Sequence, residues 1–306
     1  MLKYICDAVD LLSGADVTGD AVAGWLRNFG ADVDVLPMKS ASGRTDVVRA
    51  VIAGSGGVRA GGKAPTLGII GRLGGVGARP SRLGLVSDAD GAIVALGAAA
   101  SLARMRSSGD CLRSDVLVRT HISPASPIIP HEPAPFVDVP VDRLALAEAE
   151  VDAEMAAILS IDVTRANRVV KGRGFAITGA VKDGYVLRPT VPMLDIFERV
   201  AGDAPMLVPL FTQDITPPGN GVHRINSIMQ PATLSGAPVV GVALLSPVVI
   251  GGASTGVTDE HDLAMAARFV VEVAKEFSAG TLPFYYEDEL KKLLELYGPL
   301  QRLVGR

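Results

Sequence analysis

The sequence predicts an α/β fold: a three-layer, doubly wound, mostly parallel (mixed) sheet covered by helices. Three observations carry that expectation. Short apolar runs alternate with helical runs along most of the chain, the order expected of strand–helix–strand units. Several apolar runs, TLGIIG (66–71) and APVVGVALL (237–245) among them, lack any polar alternation, as strands buried on both faces do. The 306 residues also include 34 glycines and 20 prolines without a repeat period, which implies many tight turns between short elements.

Residues 1–31 read as two amphipathic helices separated by DVTGD, the second ending at Gly30, a residue suited to the left-handed position after a helix. ADVDVLPM and TDVVRAVIAG follow as strands, and SGGVRAGGKAP (55–65) as a surface turn. After the 66–71 strand comes a glycine-rich loop, then AIVALGAAASLARM (92–105), a helix of small apolar residues. Such a helix must be buried on most of its circumference. DVLVRTHIS (115–123) is the next strand. The proline-rich excursion 121–142 cannot be helical. Strands are then expected at 156–163, 174–181, 184–189, 206–211 and 237–245, with a helix at 193–201. TDEHDLAMAARFVVEVAKEF (258–277) is a helix with Thr258 as its cap and acids in its first turn, which complements the helix dipole. A last helix at 286–298 begins a C-terminal helical extension, 284–306. No low-complexity linker divides the chain, so a single α/β domain over 1–306 is expected; its length is sufficient for a sizeable core.

Composition excludes several functions. With 29 Lys+Arg against 33 Asp+Glu and 5% aromatics, neither a phosphate-neutralising surface nor a base-stacking platform is expected. Nucleic acid is therefore not an expected partner. Residues 225–258 carry no charge, but Pro231, Pro238 and Pro247 interrupt them, so buried strands explain them better than a membrane span. The N-terminus has Asp7 and Asp10 where a signal peptide needs an unbroken apolar stretch. Cys6 and Cys111 lack any metal or redox spacing and read as buried thiols in a reducing compartment. A cytoplasmic protein, without a membrane partner, is expected.

Ligands of such sheets bind beyond the carboxyl ends of the strands, so polar residues at those ends are the first candidates. They are Arg72, His121, Asp162 and Asp214, with Asp88 and Asp90 at the mouth of the small-residue helix. For the first of these aspartates, helix capping competes with cation binding. GRLGGVGA (71–78) lacks the Gly-Lys-Ser/Thr and dinucleotide spacings, so close packing is its simpler use, and nucleotide binding there is a third-ranked option. Arg72 and Arg79 would suit a substrate carboxylate. His131 and Glu132 lie in the proline excursion; His223 and Asn226 lie in a glycine-flanked loop, the usual setting of a binding loop. His261 belongs to the first turn of its helix, facing solvent. No His-x-x-x-His pair or nucleophile elbow occurs.

Two resemblances follow from these residues. APTLGIIGRLGGVGARP, GLVSDADGA, THISPASPIIPHEP, AILSIDVT, TQDITPPGNGVHRINSIMQPAT and AARFVVEVAKEF resemble stretches of a bacterial family described as domain of unknown function 1177. The order of elements is similar, more remotely, to the catalytic domain of the co-catalytic zinc exopeptidases, the aminopeptidase and deacylase superfamily. That resemblance implies the phosphorylase/hydrolase-like fold of those enzymes, without the insert that forms a lid or dimerisation domain in some of them. It places Asp88 at their bridging aspartate and Asp162 at a metal ligand, so a divalent metal such as zinc is the implied cofactor. Arg72 and Gly74 stand where His and Asp ligands would, DVLVRTHISP lacks the Glu pair, and VVIGGASTGVTDEHD lacks the last His. Two carboxylates alone argue against a dinuclear zinc site of the family type.

The leading expectation is a hydrolase for a small amide- or peptide-like substrate. Asp88 and Asp162 would bind metal or act as acid and base, with Arg72, Arg79, His131, Glu132 and Asn226 binding substrate. His121, His223 and Asp214 are the candidate catalytic residues. The alternative is a non-catalytic ligand-binding or scaffold protein descended from a metallopeptidase-like fold. A homodimer or higher homo-oligomer is expected in either case.

Overall fold

A computed structural model describes residues 1–130, 135–164, 169–222, 227–247 and 259–305. The chain opens with α1 (Leu2–Ser13) and α2 (Gly19–Arg27), then the antiparallel pair β1 (Asp32–Ser40) and β2 (Gly43–Ile52). β3 (Thr66–Gly71), α3 (Asp90–Ser107) and β4 (Val116–Ile122) form a strand–helix–strand unit. β5 (Ile128–Ile129) and β6 (Phe136–Val137) make a small hairpin within the proline excursion. α4 (Arg143–Glu150), β7 (Met155–Thr164), β8 (Phe175–Ile177), β9 (Ala180–Lys182) and β10 (Tyr185–Leu187) follow. α5 (Val191–Ala201), β11 (Val239–Leu245), α6 (Glu260–Ala279) and α7 (Glu287–Tyr297) complete the chain.

Nine strands form one mixed sheet in the order β1-β2-β4-β3-β7-β11-β9-β10, with β8 also paired to β11. Its four central strands, β4, β3, β7 and β11, are parallel, and the outer strands are antiparallel. The main core lies on one face, where α1, α3 and α6 pack together and α2 and α5 join them. The other face is covered differently. There Ile70, Leu117, Ile158 and Ala243 pack against Ile228, Met229 and Ala232 from an irregular segment, and α4 lies over β2. Helices therefore flank the sheet on both faces, most of them on the first and α4 on the second.

The small residues of α3 have a visible use. Its residues are buried around nearly the whole circumference, and its first turn presses directly on two strand ends. A Cβ at Gly91 would lie 2.6 Å from the Ile161 carbonyl and 2.7 Å from that of Arg72. On the strand side, a Cβ at Gly71 would lie 2.6 Å from the Gly91 carbonyl. Only glycine on both surfaces permits this approach.

Five expectations are corrected. The 206–211 run makes a single bridge, Leu207 to Ile177, because Pro205 precedes it, Pro209 interrupts it and proline cannot donate to a ladder. The 174–181 run is two short strands, since at Thr178 the hydroxyl oxygen accepts from the Gly241 amide while the Thr178 amide donates to the Gly241 carbonyl. The cap of α6 is Asp259, which accepts from the amides of His261 and Asp262; Thr258 lies outside the described residues. Asp88 sits in a 3-10 turn, Ser87–Ala89, and α3 begins only at Asp90 with Ala89 at its cap position. Cys6 and Cys111 are exposed free thiols, Cys6 on the outer side of α1 and Cys111 in the loop after α3. Among the described residues no helix is long and apolar enough to cross a membrane.

Exchanging Gly91 for alanine tests the seat of α3. In an ordinary helix that exchange stabilises by up to about 1 kcal/mol. Here the methyl group meets backbone, so Gly91→Ala should cost about 1–3 kcal/mol, read as a lower urea midpoint at unchanged slope. A midpoint at or above that of the parent protein would show that the helix is free to back away.

Candidate functional site

The strand register places the site. Gly71 of β3 pairs with Thr120 of β4 and Ile161 of β7, and one step further on the Arg72 amide donates to the Ile161 carbonyl at 2.7 Å. Arg72, His121 and Asp162 therefore stand in one row at the carboxyl edge. Alternation along the strands turns their side chains toward the face of Ile70, Leu117 and Ile158.

A fourth residue joins the row from outside the sheet. Glu150, the last residue of α4, is fully buried. Arg72 Nη1 donates to its Oε2 at 2.7 Å, and its Oε1 lies 2.7 Å from His121 Nδ1. An ionised carboxylate only accepts, so His121 donates through Nδ1–H. Burial acts to raise the Glu150 carboxyl pKa, but the charges of Arg72 and His121 and their hydrogen bonds outweigh it. Together they hold the group below the ordinary carboxylate range.

The segment over this face completes the network. Gln230 Oε1 accepts from Arg72 Nη2. Ser227 Oγ donates to Asp162 Oδ2 at 2.7 Å, and the Val163 amide donates to Asp162 Oδ1 at 2.8 Å. Two polar atoms of the centre are buried without a hydrogen-bond partner among the described residues: His121 Nε2 and Arg72 Nε. The 3-10 turn holding Asp88 packs against β7, which brings both predicted metal-site aspartates to the same strand end.

Other predicted residues lie elsewhere or serve local turns. Arg79 donates to the carbonyls of Pro124 and Ser13, tying the glycine loop to the end of α1. Asp214 accepts from the Phe211 amide at 3.0 Å within its own 3-10 turn, which packs on the turn beginning at Gln230. His261 is exposed at the start of α6. His131, Glu132, His223 and Asn226 lie outside the described residues.

Sequence reasoning missed Glu150, Gln230 and Ser227. For Glu150 a signal was present: DRLALAEAE starts with a capping Asp142, which accepts from the Ala145 amide. Counting from that cap, Leu146, Ala147 and Glu150 share the buried side of α4, so the glutamate sits where an apolar residue is expected.

These donors do not fit a co-catalytic metal pair. Among the described residues no three His, Cys, Asp or Glu side chains form a group that could hold a metal ion. The end of β3 contributes a guanidinium, which has no lone pair to offer. Both oxygens of Glu150 and both of Asp162 already accept hydrogen bonds.

A family model matches residues 37–306. The chain belongs to the family described as protein of unknown function (DUF1177). No curated protein sequence matches this DUF1177 chain. Among solved structures it is similar to the aminopeptidase LapA of Legionella pneumophila, with a TM-score of 0.52 and 11% identity over 91% of this chain and 71% of that one. It is also similar to the glutaminyl cyclase of Porphyromonas gingivalis, with a TM-score of 0.51 and 12% identity over 90% of this chain and 96% of that one. The likeness shows that the chain shares the α/β fold of these two structures. Fold alone does not carry an activity.

Removing one member of the buried network leaves another charge uncompensated. Glu150→Gln should cost about 3–5 kcal/mol by leaving the buried Arg72 charge uncompensated, measured by denaturant unfolding. The Arg72→Met/Glu150→Leu pair should cost less than the sum of its single changes; additive losses would mean that the two groups are not coupled. Because the folded pKa of Glu150 is depressed, its contribution is complete above the unfolded value, about 4.3. It is lost as pH falls from there through the folded value. Stability measured between pH 6 and 3, a range of about 3 units set by these values, should therefore fall less steeply in Glu150→Gln than in the parent. Equal slopes would place the acid sensitivity elsewhere.

Proposed function

We propose that the chain is a hydrolase for a small amide- or peptide-like substrate, with its reacting centre at the carboxyl edge of the parallel strands. One observation carries this reading: a buried carboxylate holds His121 through Nδ1 and leaves Nε2 without a partner among the described residues. A carboxylate on one ring nitrogen fixes the tautomer and orientation that let the other act as a base. His121 Nε2 would take a proton from the attacking water and return it to the leaving amine. Arg72 Nε–H, buried and without an acceptor among the described residues, would meet the negative charge that develops on the carbonyl oxygen. Glu150 and Gln230 fix the guanidinium for that task. Arg72 thus serves the reacting carbonyl, in place of the substrate carboxylate expected from the sequence. Asp88 and Asp162 border the centre as further polar groups, Asp214 serves the turn packed on the one beginning at Gln230, and a small molecule is the proposed partner.

A second reading rests on a different observation. His121 is only 1% exposed, which favours a non-catalytic ligand-binding or scaffold protein whose polar centre fixes the packing of α4 and the 227–233 segment. The fold supports both, and an assay separates them. Purified protein is tested on N-acyl amino acids, amino-acid amides and dipeptides, with His121→Gln alongside. The hydrolase reading expects turnover that falls by about 100- to 10,000-fold in the variant while its circular dichroism spectrum is retained. Turnover unaffected by the exchange, or none on any of these substrates, would favour the second reading.

A further inference from the structure

We infer that the Arg72 guanidinium is the fixed positive charge of the carboxyl-edge centre, and that the chain assembles this centre without a divalent metal. The inference deepens the proposed function, on which only its catalytic consequence rests. Three features carry it. First, the register puts Arg72 between His121 and Asp162, so a cation placed among these strand ends would lie beside a buried guanidinium of like charge. Second, that guanidinium is not free to swing away. It is 5% exposed and held at both terminal nitrogens, by Glu150 and Gln230. Third, the oxygens of Glu150 and of Asp162 are turned to other donors. Glu150 accepts from Arg72 and His121, and Asp162 accepts from Val163 and Ser227.

Within the network the charged groups already have protein partners. One guanidinium faces the Glu150 carboxylate, and Asp162 is satisfied by an amide and a hydroxyl. Arginine is suited to this place because its planar fork binds two acceptors at fixed angles, which an ammonium cannot do. In the reaction proposed above, its Nε–H would give the carbonyl oxygen the positive charge that a Lewis acid would otherwise supply.

The test uses the full chain purified without chelator. Metal content is measured by plasma mass spectrometry, and the melting temperature is compared with and without EDTA and with added Zn²⁺, Mn²⁺ or Mg²⁺. The expected result is far less than one metal ion per chain and a melting temperature unmoved by any addition, since a ligand bound only by the folded state would raise it. Near-stoichiometric metal that leaves with EDTA, accompanied by a fall in melting temperature, would overturn the inference. Two variants separate charge from shape. Arg72→Lys should keep a melting temperature closer to the parent than Arg72→Gln does, and an equal loss in both would overturn the assignment of charge. Should Arg72→Gln fail to fold, the metal measurements and the lysine variant still decide. Failure of the hydrolase reading would appear only in turnover and would leave these readouts as they are. A metal-loaded hydrolase would do the reverse.

Discussion

A carboxylate buried between a guanidinium and an imidazole organises the second face of this protein. Glu150 lies at the end of α4, Arg72 at the end of β3 and His121 near the end of β4, so three separate stretches of chain meet at one side chain. Taking such charges out of water is costly, and a hydrophobic cluster of equal volume would often be as stable. What the ions add is geometry: each carboxylate oxygen has one fixed partner, and Gln230 secures the far side of the guanidinium. The lightly helical face over the sheet is thereby held to its strands by polar contacts as well as by the packing of Ile228, Met229 and Ala232.

The helix-rich face obeys a simpler rule. There α3 is buried among α1, α6 and the strands, and its alanines and glycines set how closely those elements approach. The two faces of the sheet thus divide the work. Close apolar packing on one gives the strand ends a rigid seat, and hydrogen-bonded ions on the other project from them.

Much of this was legible from the residues. The central strands and α3, α6 and α7 follow from apolar runs, capping residues and glycine punctuation, and the row of Arg72, His121 and Asp162 follows from strand ends in an α/β order. The partners of those residues were not legible in the same way. Glu150 lies in a helix too short to announce itself after a proline-rich stretch, and its pairing with Arg72 spans 78 positions. Ser227 and Gln230 come from an irregular segment whose path no periodicity specifies. The thiols misled for a related reason: cysteine is usually buried, and only the orientation of α1 and of the loop after α3 reveals that these two are not. The proline pair around Met206 broke a ladder that hydrophobicity alone had suggested.

The glycine contact between α3 and the strand ends couples packing to electrostatics. One of the two carbonyls that Gly91 closely approaches belongs to Arg72 itself, so the helix seat also sets the height at which the guanidinium leaves the sheet. A shift of the helix would be passed through the Arg72 backbone to Glu150, and from there to the imidazole of His121. Looseness on the apolar face would therefore appear on the polar face as a change of hydrogen-bond alignment, long before any strand separated. The centre is tuned from beneath, by a helix that contributes none of its hydrogen-bonded trio.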